Sequence, residues 1–142
     1  MEKGNIILRK IWQDSELIEL AAECTSPLIT VRSKIYVSAD LIDELVQKIR
    51  TFLGSQCNET QWANEARGSG STACLSLRFL KKDTLGHILI EVFTEVEDGG
   101  DRETHNCCFY VHTECGLLRQ FCYELLSLKD CAAGREVHLN PF

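Results

Sequence analysis

The segments Ile18-Glu19-Leu20-Ala21-Ala22-Glu23 and Ile90-Glu91-Val92-Phe93-Thr94-Glu95 lie about 72 residues apart and share an Ile-Glu start and a final Glu. Apolar residues occupy alternate positions in both segments, which is the pattern of a strand with one buried face. The dipeptide Tyr36-Val37 recurs in the same way as Tyr110-Val111. Together these matches predict one structural plan used twice, three strands followed by a helix.

A run of apolar residues at helical spacing follows each Tyr-Val pair. Ser38 can cap the first helix and Gly54 can end it, while Thr113 is the candidate cap of the second helix. The first run is Leu41, Ile42, Leu45, Val46, Ile49 and Phe52, and it recurs as Leu117, Leu118, Phe121, Cys122, Leu125 and Leu128.

The repeats divide the chain into copy one (about 5–54), a connection (55–71), copy two (about 72–129) and a tail (130–142), where 136–139 could add an edge strand. Each copy is too small to bury an adequate core, so we expect one domain over 1–142. The fold class is α+β: a mainly antiparallel sheet of six or more strands packed with two helices. Because amphipathic strands resemble one another, the sequence leaves both a (βββα)2 duplication and coincidence open.

The connection between the copies has no apolar periodicity and is rich in Gly, Ser and Asn. Trp62 is its one large apolar residue. A lone tryptophan in such a segment either pins it to the body of the protein or contacts a partner, and we expect pinning.

Composition indicates an ordinary globular protein, with 44% hydrophobic and 25% charged residues among 142. No apolar run approaches the roughly 18 residues of a membrane-spanning helix, and the first residues lack the apolar stretch of a signal peptide. We therefore expect a cytoplasmic protein that does not enter a membrane.

The formal charge is −6, from 15 basic and 21 acidic residues. Such a surface repels phosphate backbones, which disfavours nucleic acid as a partner. It is compatible with a basic protein partner, and also with charge that serves solubility alone.

Six carboxylates cluster between positions 91 and 103, where Arg102 is the only base. They form either a solvated strand face and turn that discourages edge pairing, or a docking surface that attracts a cationic protein. The residues are Glu91, Glu95, Glu97, Asp98, Asp101 and Glu103.

Eight cysteines in a chain without an export signal are expected to be free thiols, mostly small buried hydrophobes. Their spacing contains no zinc-knuckle pair. His105 and Cys107 fall on one face of a strand and His112 on the other, so a site that also used Cys115 would not converge. We predict no metal and no cofactor.

Cys115 is the strongest candidate for chemistry. A thiol at the start of the second helix lies in the positive field of the helix end, which favours the reactive thiolate, and His112 three residues earlier could act as its base. No third group that would orient the histidine is visible in the sequence. Non-catalytic binding is therefore our main prediction, and a thiol enzyme is the alternative.

Four short motifs carry a family resemblance: Leu75-Ser76-Leu77-Arg78-Phe79, the stretch 83–92 containing Gly86-His87, Thr113-Glu114 with Leu117-Leu118 and Phe121, and the stretch 36–52. With them the chain resembles the WapI-type family of bacterial immunity proteins and its uncharacterised relatives, over about residues 28–128. The resemblance implies a fold of this kind and a non-enzymatic function, the neutralisation of a cognate toxin delivered between competing bacteria. The chain departs from the family in its cysteine content and at Cys115-Gly116.

We therefore expect a non-catalytic cytoplasmic binding protein, in its most specific form an immunity protein that masks a basic toxin domain through its acidic surface. A domain that forms homodimers through an open sheet edge is a second interpretation. A thiol enzyme using Cys115 is the third.

Overall fold

The computed structural model describes residues 4–54, 57–65, 73–97 and 104–140. Eight strands, two long helices and one short helix occur in these ranges, which confirms the α+β class. They are β1 Asn5–Gln13, β2 Ile18–Thr25, β3 Thr30–Val37, α1 Ala39–Gly54, β4 Glu59–Ala63, β5 Cys74–Lys81, β6 His87–Glu97, β7 Thr104–Glu114, α2 Cys115–Leu125, α3 Ser127–Asp130 and β8 Glu136–Leu139.

The strands form two antiparallel sheets of four rather than one sheet of six or more. Sheet A has the order β3-β2-β1-β8 and sheet B the order β4-β5-β6-β7. After α1 the chain continues into β4, which joins sheet B. After α2 and α3 it continues into β8, which joins sheet A. Each half of the chain therefore completes the sheet of the other half.

The two sheets repeat the same cross-strand pairs. Glu19 lies opposite Tyr36 in sheet A, and Glu91 lies opposite Tyr110 in sheet B. The isoleucine before each Glu likewise faces the valine after each Tyr. The sequence matches thus occupy equivalent positions in space, as an internal duplication requires.

One apolar core joins the halves. The Phe52 ring of α1 lies 6.1 Å, centroid to centroid, from Phe79 of β5. The Cys122 thiol of α2 contacts the Val46 carbonyl of α1 at 3.5 Å. Cys122 and Val46 occupy equivalent positions in the repeat, so the two helices pack against each other at corresponding residues.

The helix starts agree with the sequence for α1 and differ for α2. Ser38 caps α1 by accepting a hydrogen bond at its Oγ from the Leu41 backbone nitrogen at 3.1 Å. Before α2, the extended backbone of β7 continues through Thr113 to Glu114, which is the residue at the cap position. Thr113 is instead fully buried, and its hydroxyl has no hydrogen-bond partner.

The predicted connection contains a strand, β4, that the sequence analysis missed. Trp62 in this strand is 3% exposed, and its ring nitrogen donates to the Leu41 carbonyl at 3.0 Å. The prediction that Trp62 pins this segment to the body is therefore confirmed. Residues 55, 56 and 66–71 of the connection lie outside the described residues.

Candidate functional site

The outer face of sheet B places an acidic, a basic and an aromatic side chain in one row. Glu91 of β6 lies between Arg78 of β5 and Tyr110 of β7. The Arg78 guanidinium and the Tyr110 hydroxyl both donate to one Glu91 oxygen, at 2.6 and 3.1 Å. A second guanidinium nitrogen donates to Glu59 of β4 at 2.9 Å. Glu91 therefore has a cationic partner from its own chain.

These contacts raise the pKa values of Arg78 and Tyr110. Hydrogen bonds to Glu91 and then to Glu59 raise the pKa of Arg78 above its ordinary value. The hydrogen bond to Glu91 likewise raises the pKa of the Tyr110 phenol. At neutral pH Arg78 is thus a cation and Tyr110 a neutral phenol on either side of Glu91.

The structure brings two of the six clustered carboxylates to this face. Glu95 of β6 is half-buried and lies opposite Cys74 and Asn106 on the neighbouring strands. Asp98, Asp101 and Glu103 lie outside the described residues, as does the side chain of Glu97.

Sheet A repeats the row without a cation. Glu19 of β2 lies between Tyr36 of β3 and Trp12 of β1, so Trp12 takes the position that Arg78 has in sheet B. Glu19 is only 9% exposed, and a side-chain hydrogen bond to it raises the pKa of Tyr36. No lysine or arginine in the described ranges forms an ion pair with Glu19.

An open groove of about 780 Å³ lies on the outer face of sheet A beside this row. All four strands of sheet A contribute to it, and residues from the other half of the chain form part of its rim. The lining residues are Ile7, Arg9, Glu19, Ala21, Ala22, Glu23, Arg32, Ser33, Lys34, Tyr36, Ala73, Val96 and Glu136.

The Asn64 side chain holds part of that rim in place. Its oxygen accepts from the Leu75 backbone nitrogen at 2.7 Å, and its nitrogen donates to the Ala73 carbonyl at 3.0 Å. The same nitrogen lies 3.4 Å from the Tyr36 carbonyl of β3. This buried amide therefore fastens the start of β5 to sheet A.

The charges of the groove balance, with three carboxylates and three cations among its lining residues. Arg32 is paired with Glu23 at 3.0 Å. Arg9 and Lys34 both lie opposite Ala21, in the row next to Glu19. The groove can therefore accept both a positive and a negative group of a ligand.

A second pocket, of about 620 Å³, lies at the start of α2 and contains Cys115, His87 and Asp83. The His87 Nδ1 lies 2.6 Å from the Asp83 carboxylate, and this contact lowers the pKa of Asp83. The Gly86 carbonyl accepts from the Cys115 backbone nitrogen at 2.9 Å. A thiol, an imidazole and a carboxylate thus line one pocket, and thiol hydrolases use these three groups.

The histidine of this pocket is not the one that the sequence analysis selected. His112 lies opposite Leu89 and is not among the residues that line the pocket with Cys115. His87 comes close because the turn between β5 and β6 returns the chain beside the start of α2. Within the described ranges, no three His, Cys, Asp or Glu side chains could hold a metal ion together.

The eight cysteines are free thiols of differing exposure. Cys108 is exposed on β7, whereas Cys24, Cys74 and Cys122 are buried. Burial raises the pKa of Cys24 to about 12. The Cys24 thiol is therefore neutral in the folded protein at physiological pH.

We expect iodoacetamide near pH 8 to label Cys108 first and Cys24 last, because reaction requires an accessible thiolate. Peptide mass spectrometry of timed samples measures the order. Labelling in denaturant is the control, since all eight thiols should then react at similar rates. Early labelling of Cys24 in the native protein would contradict its buried position.

No family model, curated protein or solved structure matches this chain. The helices in the described ranges are too short or too polar to cross a bilayer.

Sequence reasoning missed the row in sheet A and the groove beside it. Glu19 and Tyr36 were both visible as repeated residues, but Trp12 carries no such signal because its counterpart is Arg78. Comparing the two copies position by position, with the register known, would have shown the missing cation.

Proposed function

We propose that this protein is a non-catalytic binding domain that holds a basic protein partner. The observation that carries the proposal is the groove on sheet A, where the Glu19 side chain is mostly buried and no lysine or arginine of the described residues pairs with it. A volume of about 780 Å³ is within the range of ligand sites in proteins. Buried carboxylates are normally paired, so an incoming cation is the group that Glu19 favours within a groove whose charges otherwise balance.

The charge of the whole chain supports the same partner. The net charge is −6, and the carboxylates of the stretch 91–103 add a strongly negative segment. Complementary charge speeds the encounter of two proteins and disfavours wrong partners. Glu95 lies on the outer face of sheet B, so the attraction would extend beyond the groove, whereas the charge of Glu91 on that face is balanced by Arg78.

The most specific form of the proposal is an immunity protein that masks a cognate toxin in the cytoplasm. This form rests on the resemblance to WapI-type immunity proteins. It predicts that a gene beside that of this chain encodes a basic toxin-like protein. Absence of binding to the product of such a neighbouring gene would remove the immunity form of the proposal.

Neutralising the acidic stretch should slow association about tenfold or more and weaken its dependence on salt. The variant carries Glu95→Gln, Glu97→Gln, Asp98→Asn, Asp101→Asn and Glu103→Gln. Surface plasmon resonance with the neighbouring gene product at two salt concentrations measures both effects.

The matched control also removes five negative charges, but elsewhere on the surface, through Glu16→Gln, Asp40→Asn, Glu44→Gln, Glu124→Gln and Asp130→Asn, and should leave the association rate nearly unchanged. Equal slowing by both variants would mean that only net charge matters, and no docking surface would be assigned to the stretch 91–103. Light scattering on the free protein tests the homodimer interpretation, which predicts a particle mass of twice 16.1 kDa.

A thiol enzyme is a second candidate, favoured by the pocket that Cys115 shares with His87 and Asp83. In that case Cys115 should react with iodoacetamide ahead of the more exposed Cys108, and His87→Ala should slow it. If Cys108 reacts first and His87→Ala has no effect, the thiol candidate fails.

A further inference from the structure

We infer that sheet A binds an arginine side chain of the protein partner, which Glu19, Tyr36 and Trp12 contact. The inference rests on the proposed function and names the group that the partner inserts. It comes from comparing the two copies within this chain.

Sheet B provides the internal template. There the Arg78 guanidinium bonds Glu91 at 2.6 Å, and Tyr110 donates to the same carboxylate oxygen. Sheet A keeps the Glu and the Tyr at equivalent cross-strand positions and replaces the arginine with Trp12. One sheet therefore carries its arginine internally, and the other lacks it.

The burial of Glu19 increases the stabilisation that a cationic partner would provide. An exposed carboxylate gains little from an ion pair, because water already solvates it. Glu19 is 9% exposed, so little of the residue is in contact with water. A guanidinium that reaches this mostly buried side chain would gain more electrostatic stabilisation than at an exposed carboxylate.

The aromatic neighbours favour arginine over lysine. The Trp12 and Tyr36 rings, on either side of Glu19, approach each other across β2 in a T-shaped arrangement with centroids 6.4 Å apart. Trp12 is 40% exposed and can offer its ring to a ligand. A planar guanidinium can stack on such a ring while two of its N–H groups bond the carboxylate, whereas an ammonium cannot do both in this geometry.

The next row of the groove limits the number of cations. Arg9 and Lys34 lie opposite Ala21 there. They would repel a second basic residue of the partner. The site therefore fits one arginine rather than a run of basic side chains.

Short blocked peptides test the inference on the full chain. The probes are acetyl-Gly-Arg-Gly-amide, its citrulline analogue, which has the same shape without charge, and its lysine analogue. Titrations are followed by two-dimensional amide NMR and by tryptophan fluorescence, in which Trp12 is the exposed reporter and Trp62 the buried one. The arginine peptide should bind at about millimolar concentration, and the two analogues about tenfold more weakly.

Variants separate this site from its counterpart. Glu19→Gln should weaken the arginine peptide about tenfold, and the matched Glu91→Gln should leave binding unchanged. Trp12→Arg would supply the guanidinium internally, as Arg78 does in sheet B, and should abolish binding while the circular dichroism spectrum stays native.

Equal binding of citrulline or lysine, an equal loss in Glu91→Gln, or no binding of the arginine peptide would each overturn the arginine site. A wild-type chain that binds the arginine peptide but no basic protein partner would overturn the proposed function and leave this site standing. A basic protein partner that binds with an affinity unaffected by Glu19→Gln would support the proposed function and overturn the arginine site.

Discussion

Two fragments of this chain, residues 1–67 and 68–142, are expected to be unfolded when separate and to fold when mixed. The reason is the exchange of the last strands, because β4 of the first fragment belongs to sheet B and β8 of the second belongs to sheet A. Alone, each fragment leaves a strand edge and an apolar sheet face exposed. Chains of this size without a complete core are at the limit of stability.

Circular dichroism and gel filtration of the single fragments and of the equimolar mixture measure the effect. The mixture should regain the spectrum of the intact chain and elute as a 1:1 complex. A shorter first fragment, residues 1–57, is the matched control, because it lacks only β4 and should restore the native state much less well. Cooperative thermal unfolding of either fragment alone would contradict the interdependence of the halves.

The helices and most strands could be predicted because each carries its own periodic signal. In α1, apolar residues at helical spacing face the core, and Ser38 marks the start through its hydroxyl. The repeated Ile-Glu and Tyr-Val pairs also located equivalent strands correctly. These features are local, so one sequence contains enough information to find them.

The exchange of strands could not be predicted because β4 carries almost no signal. Within Glu59–Ala63 only Trp62 is buried, and a five-residue edge strand with one inward side chain does not alternate visibly. Which sheet a strand joins also depends on tertiary packing. The sequence therefore indicated one sheet where the protein has two.

The candidate site depends on register across three strands, which one sequence does not reveal. Glu19, Tyr36 and Trp12 are distant enough in sequence that their meeting requires β1, β2 and β3 to pair in one alignment. The same holds for Cys115 and His87, which the β5–β6 turn brings together. Sequence spacing suggested His112 because it is the histidine nearest to Cys115 along the chain.

Phe121→Ala is expected to destabilise the protein by about 3–5 kcal/mol, the usual cost of removing a buried phenylalanine. The ring is fully buried on α2, the helix that packs against α1. The substitution leaves a cavity in the core that both halves share. Urea unfolding followed by circular dichroism measures the free energy of unfolding.

Tyr123→Ala is the matched control, since it removes an aromatic ring from the same helix at a position that is 76% exposed. It should change the free energy of unfolding by no more than about 0.5 kcal/mol.

Calorimetry then tests whether the core is shared. Two independent halves would unfold in two steps, and Phe121→Ala would shift only the step of the second half. Because α1 meets α2 at equivalent positions and each sheet contains a strand from the other half, we expect a single transition that shifts as a whole.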